Sequence, residues 1–406
     1  MLRRAVAAAA SSTRRWPLTA VLLAFAIAPA QARADDASAS LADARILDAM
    51  GAALRLQSIM TRVTGFDQYG TGYQARDSPT PLSPGSERET VFEPQAEIVL
   101  TQGPRLTHRV RVPVDVVTNA SPHAIDVMTQ ASEHVEGGSI DWTTSYQATP
   151  TTELSIRNGL HLENPFRSWD SGLAIRRSYA DEATVVGANV LEVFDWFDRF
   201  TIDGSRHGHT DRNGTTGAVS LTQVLTPTTL VSLSYGVTLM EGTLGNTWNS
   251  VPLTTGVRGP EILPSERVRH ALVGRAAQWL PWNGALRLYY RFYGDDWGIV
   301  AHSLEAQLLQ RLTPQLYVGG YYRFHTQTGA SFFTTLAPDD GSLRVADSDL
   351  ARLDSQTVGG KMVVDLPFSA RVGEIHAVHF ELAVERYVRT NDLQVNIVSW
   401  ASGFRF

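Results

Sequence analysis

The residues most able to do chemistry in this chain are arginines spaced two or a few residues apart. Arg267, Arg269 and Arg275 share one parity of the stretch ERVRHALVGR, and Arg287 and Arg291 share one parity of ALRLYYRFY. Residues two apart point the same way on an extended backbone, so each stretch presents a row of guanidiniums on one face. Glu305, Arg323, Lys361, Asp365, Glu381 and Glu385 take the matching parity in later stretches, and Glu93, Gln95, Glu97, Arg109, Arg111 and Asp115 in earlier ones. Two arrangements follow. An arginine wall facing carboxylates across a water-filled bore focuses a field and selects solutes by sign. Alternatively, the same charges pair across strands and fill the interior.

Three smaller constellations carry other chemistry. In YGDDWG (Tyr293 to Gly298), Asp295 and Asp296, with His302 and Glu305 beyond, have the groups for a divalent cation or an acid–base pair. The same residues are ordinary turn chemistry, with Trp297 at a membrane interface, and we read them so. In RHGHTD, His207, His209 and Asp211 have spacings at which two imidazoles converge on a metal, but no third ligand is assignable. A serine hydrolase needs a Ser/His/acid group. His302-Ser303 and Ser121-Pro122-His123 lack any flanking signature, and neighbours in a strand point to opposite faces. No catalytic residue, cofactor site or metal site is therefore read from the sequence.

Composition narrows the class. The chain has 406 residues, 43% of them hydrophobic, a net charge of -6 and no cysteine. Disulfide frameworks, thiolate metal sites and thiol nucleophiles are thereby excluded, and the mild charge signals no nucleic-acid partner. Arginines at 3, 4, 14 and 15 precede the apolar run PLTAVLLAFAIA and the small-residue site Ala32-Arg33-Ala34. Residues 1–34 thus read as a cleaved export signal. Residues 35–53 read as a periplasmic segment with a short helix from Ala42 to Met50, and 54–406 as the body of the protein.

The elements that must position the arginines are strands. TLVSLSYGVTLME places Val231, Leu233, Tyr235, Val237 and Leu239 on one face and Ser232, Ser234, Gly236 and Thr238 on the other, a period of two. Similar segments recur to the last residue. Tight turns at QGPR, ATPT, LTPTT, LPWNG, LTPQ and LPFSARVGE alternate with longer polar connections at 70–89, 119–138, 242–265 and 329–349; the connections at GDDWG and RTND are short. Short turns at one end and long loops at the other are the habit of outer-membrane barrels. The expected fold is an all-β, transmembrane, antiparallel up-and-down barrel of about sixteen strands, fourteen being the alternative because the stretch from Thr184 to Phe200 changes phase. In such a barrel the apolar face looks outward into outer-membrane lipid. An arginine on that face costs ~2–4 kcal/mol at the midplane, and the alternation keeps Arg109, Arg287, Arg291 and Arg323 off it.

Several stretches resemble the bacterial family known as "domain of unknown function 3570": VDVVTNASPHAID (Val114 to Asp126), EGTLGN (Glu241 to Asn246), EILPSERVRHAL (Glu261 to Leu272), LRLYYRFYGDDWGIVAHSLE (Leu286 to Glu305) and YYRFHTQTGASFF (Tyr321 to Phe333). The resemblance is strongest from about Gly214 to Phe333. It implies an outer-membrane barrel and no particular reaction. Where the family tends to have Ser-His-Thr, this chain reads Ala301-His302-Ser303, which assigns no role to those hydroxyls. The expected function is a porin-like channel for small polar or anionic solutes. A closed barrel acting as envelope anchor or assembly partner is the alternative, and an outer-membrane enzyme is third.

The chain ends on SWASGFRF, with Trp400, Phe404 and Phe406 on one face and a slip in alternation near Ile397 and Val398 that suggests a bulge. A terminal aromatic on an alternating strand resembles the signal read by the barrel-assembly machinery, the expected partner in biogenesis. Deleting Phe406 is expected to lower the yield of folded, heat-modifiable protein on gels while leaving export intact; an unchanged folded yield removes that role.

Overall fold

The computed structural model describes residues 51–70, 88–117, 135–163, 166–201, 205–245, 249–372 and 374–406. The expected export signal and the short helix from Ala42 to Met50 lie outside them, as do Ser121 and His123. Eighteen strands follow in chain order: β1 (Leu54–Gly70), β2 (Glu89–Gln102), β3 (Leu106–Val117), β4 (Val135–Thr149), β5 (Thr152–Glu163), β6 (Phe166–Tyr179), β7 (Thr184–Phe200), β8 (Arg206–Thr226), β9 (Thr229–Gly242), β10 (Ser250–Pro252), β11 (Arg258–Pro260), β12 (Glu266–Leu280), β13 (Gly284–Asp295), β14 (Val300–Arg311), β15 (Leu316–Gln327), β16 (Leu353–Val372), β17 (Ile375–Arg389) and β18 (Leu393–Arg405). All but β10 and β11 join one closed antiparallel barrel of sixteen strands, each beside its sequence neighbour, with β1 paired to β18. β10 and β11 form a separate two-stranded ribbon in the β9–β12 connection.

Closure follows from the period-two pattern. Residues paired across antiparallel strands share a face, so one phase error would turn a hydrophobic row inward. The observed register keeps Leu233, Leu272, Leu288, Leu304, Tyr322, Val358, Met362, Val384, Val398 and Trp400 on the exposed outer face. Tight turns at the other end hold the register. One bends through Gly103 (φ 60) and another through Asn283 (φ 63), residue types that enter left-handed backbone at little cost. Aromatic rings gather near the rims of the outer face: Trp169, Phe194 and Trp196 form a stack with centroid separations of 5.4 and 6.5 Å. This apolar band bounded by aromatics is the surface of an outer-membrane barrel.

Three details differ from the sequence reading. The slip at Ile397 and Val398 is no bulge: β18 pairs without interruption, Ile397 opposite Phe66 and Glu385, Val398 opposite Gly65 and Val384. The apparent slip arises because Ile397 is an apolar side chain on the inner face. The phase change in β7 is likewise not a break, since its register with β6 runs continuously from Thr184 to Phe197. Leu191 and Val193 simply point inward, and Glu192 outward. Four outer connections are short rather than two, because 164–165 and 201–205 join GDDWG and RTND.

The two faces make opposite demands on a charge. Leu304→Arg, on the lipid side of β14, is expected to cost ~2–4 kcal/mol. Gln307→Arg, on the inner side of the same strand, is expected to change stability by only about 0.5 kcal/mol. Reversible urea unfolding in micelles measures both; equal costs would contradict the assignment of faces.

Candidate functional site

The five arginines all sit on the inner face of β12 and β13. Arg275 lies opposite Tyr289, Arg287 opposite Ala277, Arg291 opposite Val273, and Arg269 opposite Asp295. Aromatic rings support them: Arg275 lies 5.5 Å from the Tyr289 centroid, Arg291 5.7 Å from Tyr293, and Arg267 4.1 Å from Trp297. Arg267 is the paired member; its Nε donates to Asp295 Oδ2 at 3.0 Å, and Tyr293 OH donates to the same oxygen at 2.7 Å. Among the described residues, Arg269, Arg275, Arg287 and Arg291 make no ion pair. The Nε of Arg269 is buried without a hydrogen-bond partner.

The carboxylates that shared the expected parity are engaged elsewhere. Glu305 pairs with Arg323 at 2.6 Å and Glu381 with Arg62 at 3.0 Å, while Glu385 interacts with the Tyr321 side chain. Asp365 lies 2.8 Å from His379. Another part of the wall is neutralised within itself: Arg109–Glu97 at 3.6 Å, Arg111–Asp141 at 3.2 Å, Arg157–Asp141 at 2.9 Å, Arg157–Asp170 at 3.0 Å and Arg212–Asp195 at 2.6 Å. Gly159 makes room for this network, since a Cβ there would overlap the Asp170 carboxylate. The inner surface is thus polarised, with ion pairs on β2–β8 and an unneutralised arginine strip on β12–β13.

The other constellations do not assemble. Asp295 Oδ1 accepts from the amides of Trp297 (3.1 Å) and Ile299 (2.9 Å), and Asp296 Oδ1 from that of Val268 (3.0 Å). Both aspartates are turn residues here. His302 is on the lipid side, 2.8 Å from Tyr290 OH, whereas Glu305 points inward. His209 Nδ1 sits 2.6 Å from Asp198, which also holds Arg206. Ser303 meets His325 rather than His302: its Oγ lies 2.8 Å from His325 Nδ1, and His325 Nε2 lies 3.2 Å from Gln327 Oε1. Gln327 donates its amide nitrogen to the carbonyls of Asp349 and Ala351, both at 2.8 Å, so its oxygen is left to accept from Nε2–H. The Ser303 hydroxyl then donates to Nδ1. A nucleophilic relay would need a carboxylate behind the imidazole, and that place is taken by the Gln327 side-chain amide. We read the chain as polar lining.

Residues 328–352 form the feature that the alternation did not show. This outer connection packs on residues 249–265 through bridges at Leu253–Ala337 and Ile262–Arg344, burying Val251, Leu253, Ala337 and Val345. Buried Arg344 donates to the carbonyls of Pro260 (3.0 Å) and Pro338 (3.1 Å). The connection then enters a short 3-10 turn, Ser348–Leu350, whose N-cap is Asp347. Burial pushes the Asp347 carboxyl above the usual carboxylate range. Arg389 of β17 clamps the turn, donating to Asp349 Oδ1 at 2.6 Å and to Ser348 O at 3.0 Å. Asp349 and Leu350 also line a cavity of about 270 Å³ with Arg267, Arg269, Arg291, Ser303, His325 and Gln327. One segment is therefore bonded to inner-face residues of β15 and β17 at once and shares a cavity with β12.

Residues 172–398 match the family described as a protein of unknown function (DUF3570). The chain belongs to this family. The matched span starts in β6 and ends in β18, so it contains the arginine strip and the 328–352 connection, while VDVVTNASPHAID lies before it. No curated protein matches the chain. Solved structures with similarity include a BenF-like porin from Pseudomonas fluorescens, at 6% identity over 87% of this chain and 99% of that one, with a TM-score of 0.45. A bacterial polysaccharide outer-membrane secretin follows at 8% identity, 86% and 98% coverage and a TM-score of 0.43. The outer-membrane protein OpdK of Pseudomonas aeruginosa shows 7% identity, 86% and 99% coverage and a TM-score of 0.40.

Within this DUF3570 chain, the sequence reading missed Asp141, Arg157 and Asp170 because their strands are rich in Ser, Thr and Gly, which blurs the apolar phase. It missed Arg389 and Asp349 because no local pattern reports a contact across 40 positions. Replacing Arg389 by Gln removes the clamp on the turn, and amide exchange at residues 344–350 is expected to accelerate at least tenfold, about 1.4 kcal/mol. Unchanged protection would show that the turn is held by the 249–265 packing alone.

Proposed function

We propose that this outer-membrane barrel is a channel for small polar solutes with a preference for anions. The observation that carries the reading is the arginine strip without ion pairs on β12 and β13, continued into the cavity beneath the 328–352 connection. Among the described residues lining that cavity are three arginines, Arg267, Arg269 and Arg291, and one carboxylate, Asp349; Asp295 and Asp349 are in turn bonded to Arg267 and Arg389. Sixteen strands enclose a bore wide enough for water, and cations on a low-dielectric wall raise the local concentration of anions. The turn at Ser348–Leu350 would make every permeating solute pass close to Arg269 and Arg291. In this proposal residues 1–34 direct export, 35–53 remain periplasmic, and Trp400, Phe404 and Phe406 present the last strand to the assembly machinery.

Single-channel recording in a salt gradient tests the reading. The wild type is expected to conduct with a reversal potential on the anion side, and Arg287→Glu with Arg291→Glu to shift it toward cations. Raising salt from 0.1 to 1 M should shrink the difference, because the Debye length falls from ~10 to ~3 Å. A folded wild type that conducts nothing would overturn the channel and favour a closed envelope anchor, with the packed outer connections as its working surface.

A further inference from the structure

The lipid-facing side of the barrel carries a row of polar side chains where hydrocarbon-facing residues belong. Asn158 on β5, Ser171 on β6, Glu192 on β7 and Thr215 on β8 are successive register partners. Their phase is outward, because the same strands expose Ile156, Leu160, Trp169, Leu173, Trp196 and Val219 on that face. The row is not at the rim. Glu192 lies four residues below Trp196, about 13 Å along the strand, inside an apolar band about 25 Å tall. On β5, Asn158 has Leu154 and Ile156 below it and Leu160 and Leu162 above, all exposed. Ionisable groups in such positions are costly and rare, and in membrane proteins they are almost always turned toward protein or water.

Hydrogen bonds within the row satisfy only half of it. Thr215 Oγ1 donates to Glu192 Oε2 at 2.6 Å, and Ser171 Oγ donates to Asn158 Oδ1 at 3.1 Å. Among the described residues, the second carboxylate oxygen of Glu192 and the amide nitrogen of Asn158 have no partner. Across β5–β7 this leaves one acceptor at Glu192 and two N–H donors at Asn158, with Ser171 between them. A two-fold axis along the membrane normal near Ser171 reverses the row, bringing the Asn158 end of one copy toward the Glu192 end of the other. Such isologous pairing uses the same patch on both subunits. Small residues permit close approach: Gly217 stands one outward position below Thr215 with open space where a side chain would be, and Ala188 lies on the same face.

We propose that the β5–β8 face is the contact surface for a second copy of this chain, organised around the Asn158–Ser171–Glu192–Thr215 row. The proposal is independent of what the lumen does. Anionic lipid headgroups are disfavoured as occupants by the carboxylate, and acyl chains offer it no donor.

The absence of cysteine from the chain gives a direct test. Ser171→Cys introduces a single thiol near the expected axis, and Val358→Cys introduces one on the outer face of β16, eight strands away around the barrel. Intact outer membranes carrying each variant are oxidised with copper phenanthroline and run on non-reducing gels. Ser171→Cys is expected to give a band of twice the chain mass, and Val358→Cys only background. Adding Glu192→Leu to Ser171→Cys is expected to lower the dimer yield by roughly three- to tenfold, while heat-modifiable mobility confirms that the barrel still folds. Equal yields from the two single-cysteine variants, a cross-link at 171 to a different envelope protein, or a yield insensitive to Glu192→Leu would each overturn the proposal.

Discussion

A backbone polar group in hydrocarbon has no water to turn to, and this demand orders the rest of the structure. Every strand must give its N–H and C=O groups to a neighbour, and the first and last strands must find each other. The pairing of β1 with β18, from Ser58 opposite Arg405 to Gly70 opposite Leu393, removes the only two edges that an open sheet of these strands would have. Once the ring is closed, side-chain parity has just two meanings, lipid or lumen, and each residue is judged by the solvent it meets.

The lumen is where the protein spends that freedom. Guanidiniums on a wetted wall repel one another weakly. Arg287 and Arg291, four residues apart and so about 13 Å along the strand, interact by about 0.3 kcal/mol in bulk water and about 1.3 kcal/mol at an effective dielectric of 20. The interleaved tyrosines at 289 and 293 offset part of this through their ring faces. A strip of unpaired arginines is therefore affordable only while water reaches it. Where burial increases, at Arg267, the structure supplies Asp295 with a bond to the guanidinium and another from Tyr293.

How much of this could be read in the sequence depends on the range of each interaction. Strand existence, face and number rest on local alternation, and segments such as ALRLYYRFY declare them without reference to anything distant. The arginine strip was legible for the same reason. The pairing of Glu381 with Arg62, by contrast, spans the closure between β1 and the final strands, and no local pattern shows which of several inward arginines a given glutamate will choose. The contact of Arg389 with the turn at 348–349 depends on how a 25-residue connection folds back, which parity does not encode. β7 was misread for a different reason. Leu191 and Val193 on one phase and Glu192 on the other look like a slipped strand when apolar is equated with outward. The register shows instead that the phase holds and the side chains are exceptions to it.

Those exceptions are informative because the rule is strict. An inward leucine costs little, since a lumen tolerates apolar side chains among polar ones. An outward carboxylate in the apolar band has no such excuse, and neither tight register nor closure requires glutamate at 192: a valine or leucine would serve the ladder equally well. Natural barrels set polar side chains outward mainly at their rims, as this one does with Arg386, which donates to Asn396 and lies 5.4 Å from the Tyr69 ring. A row that crosses four strands at mid-height, half satisfied by its own hydroxyls, is better explained by a surface that is not in contact with lipid. The same constraint that closes the barrel, that polar groups in hydrocarbon need partners, then extends from the backbone to the side chains of β5–β8 and points outward, toward another protein surface.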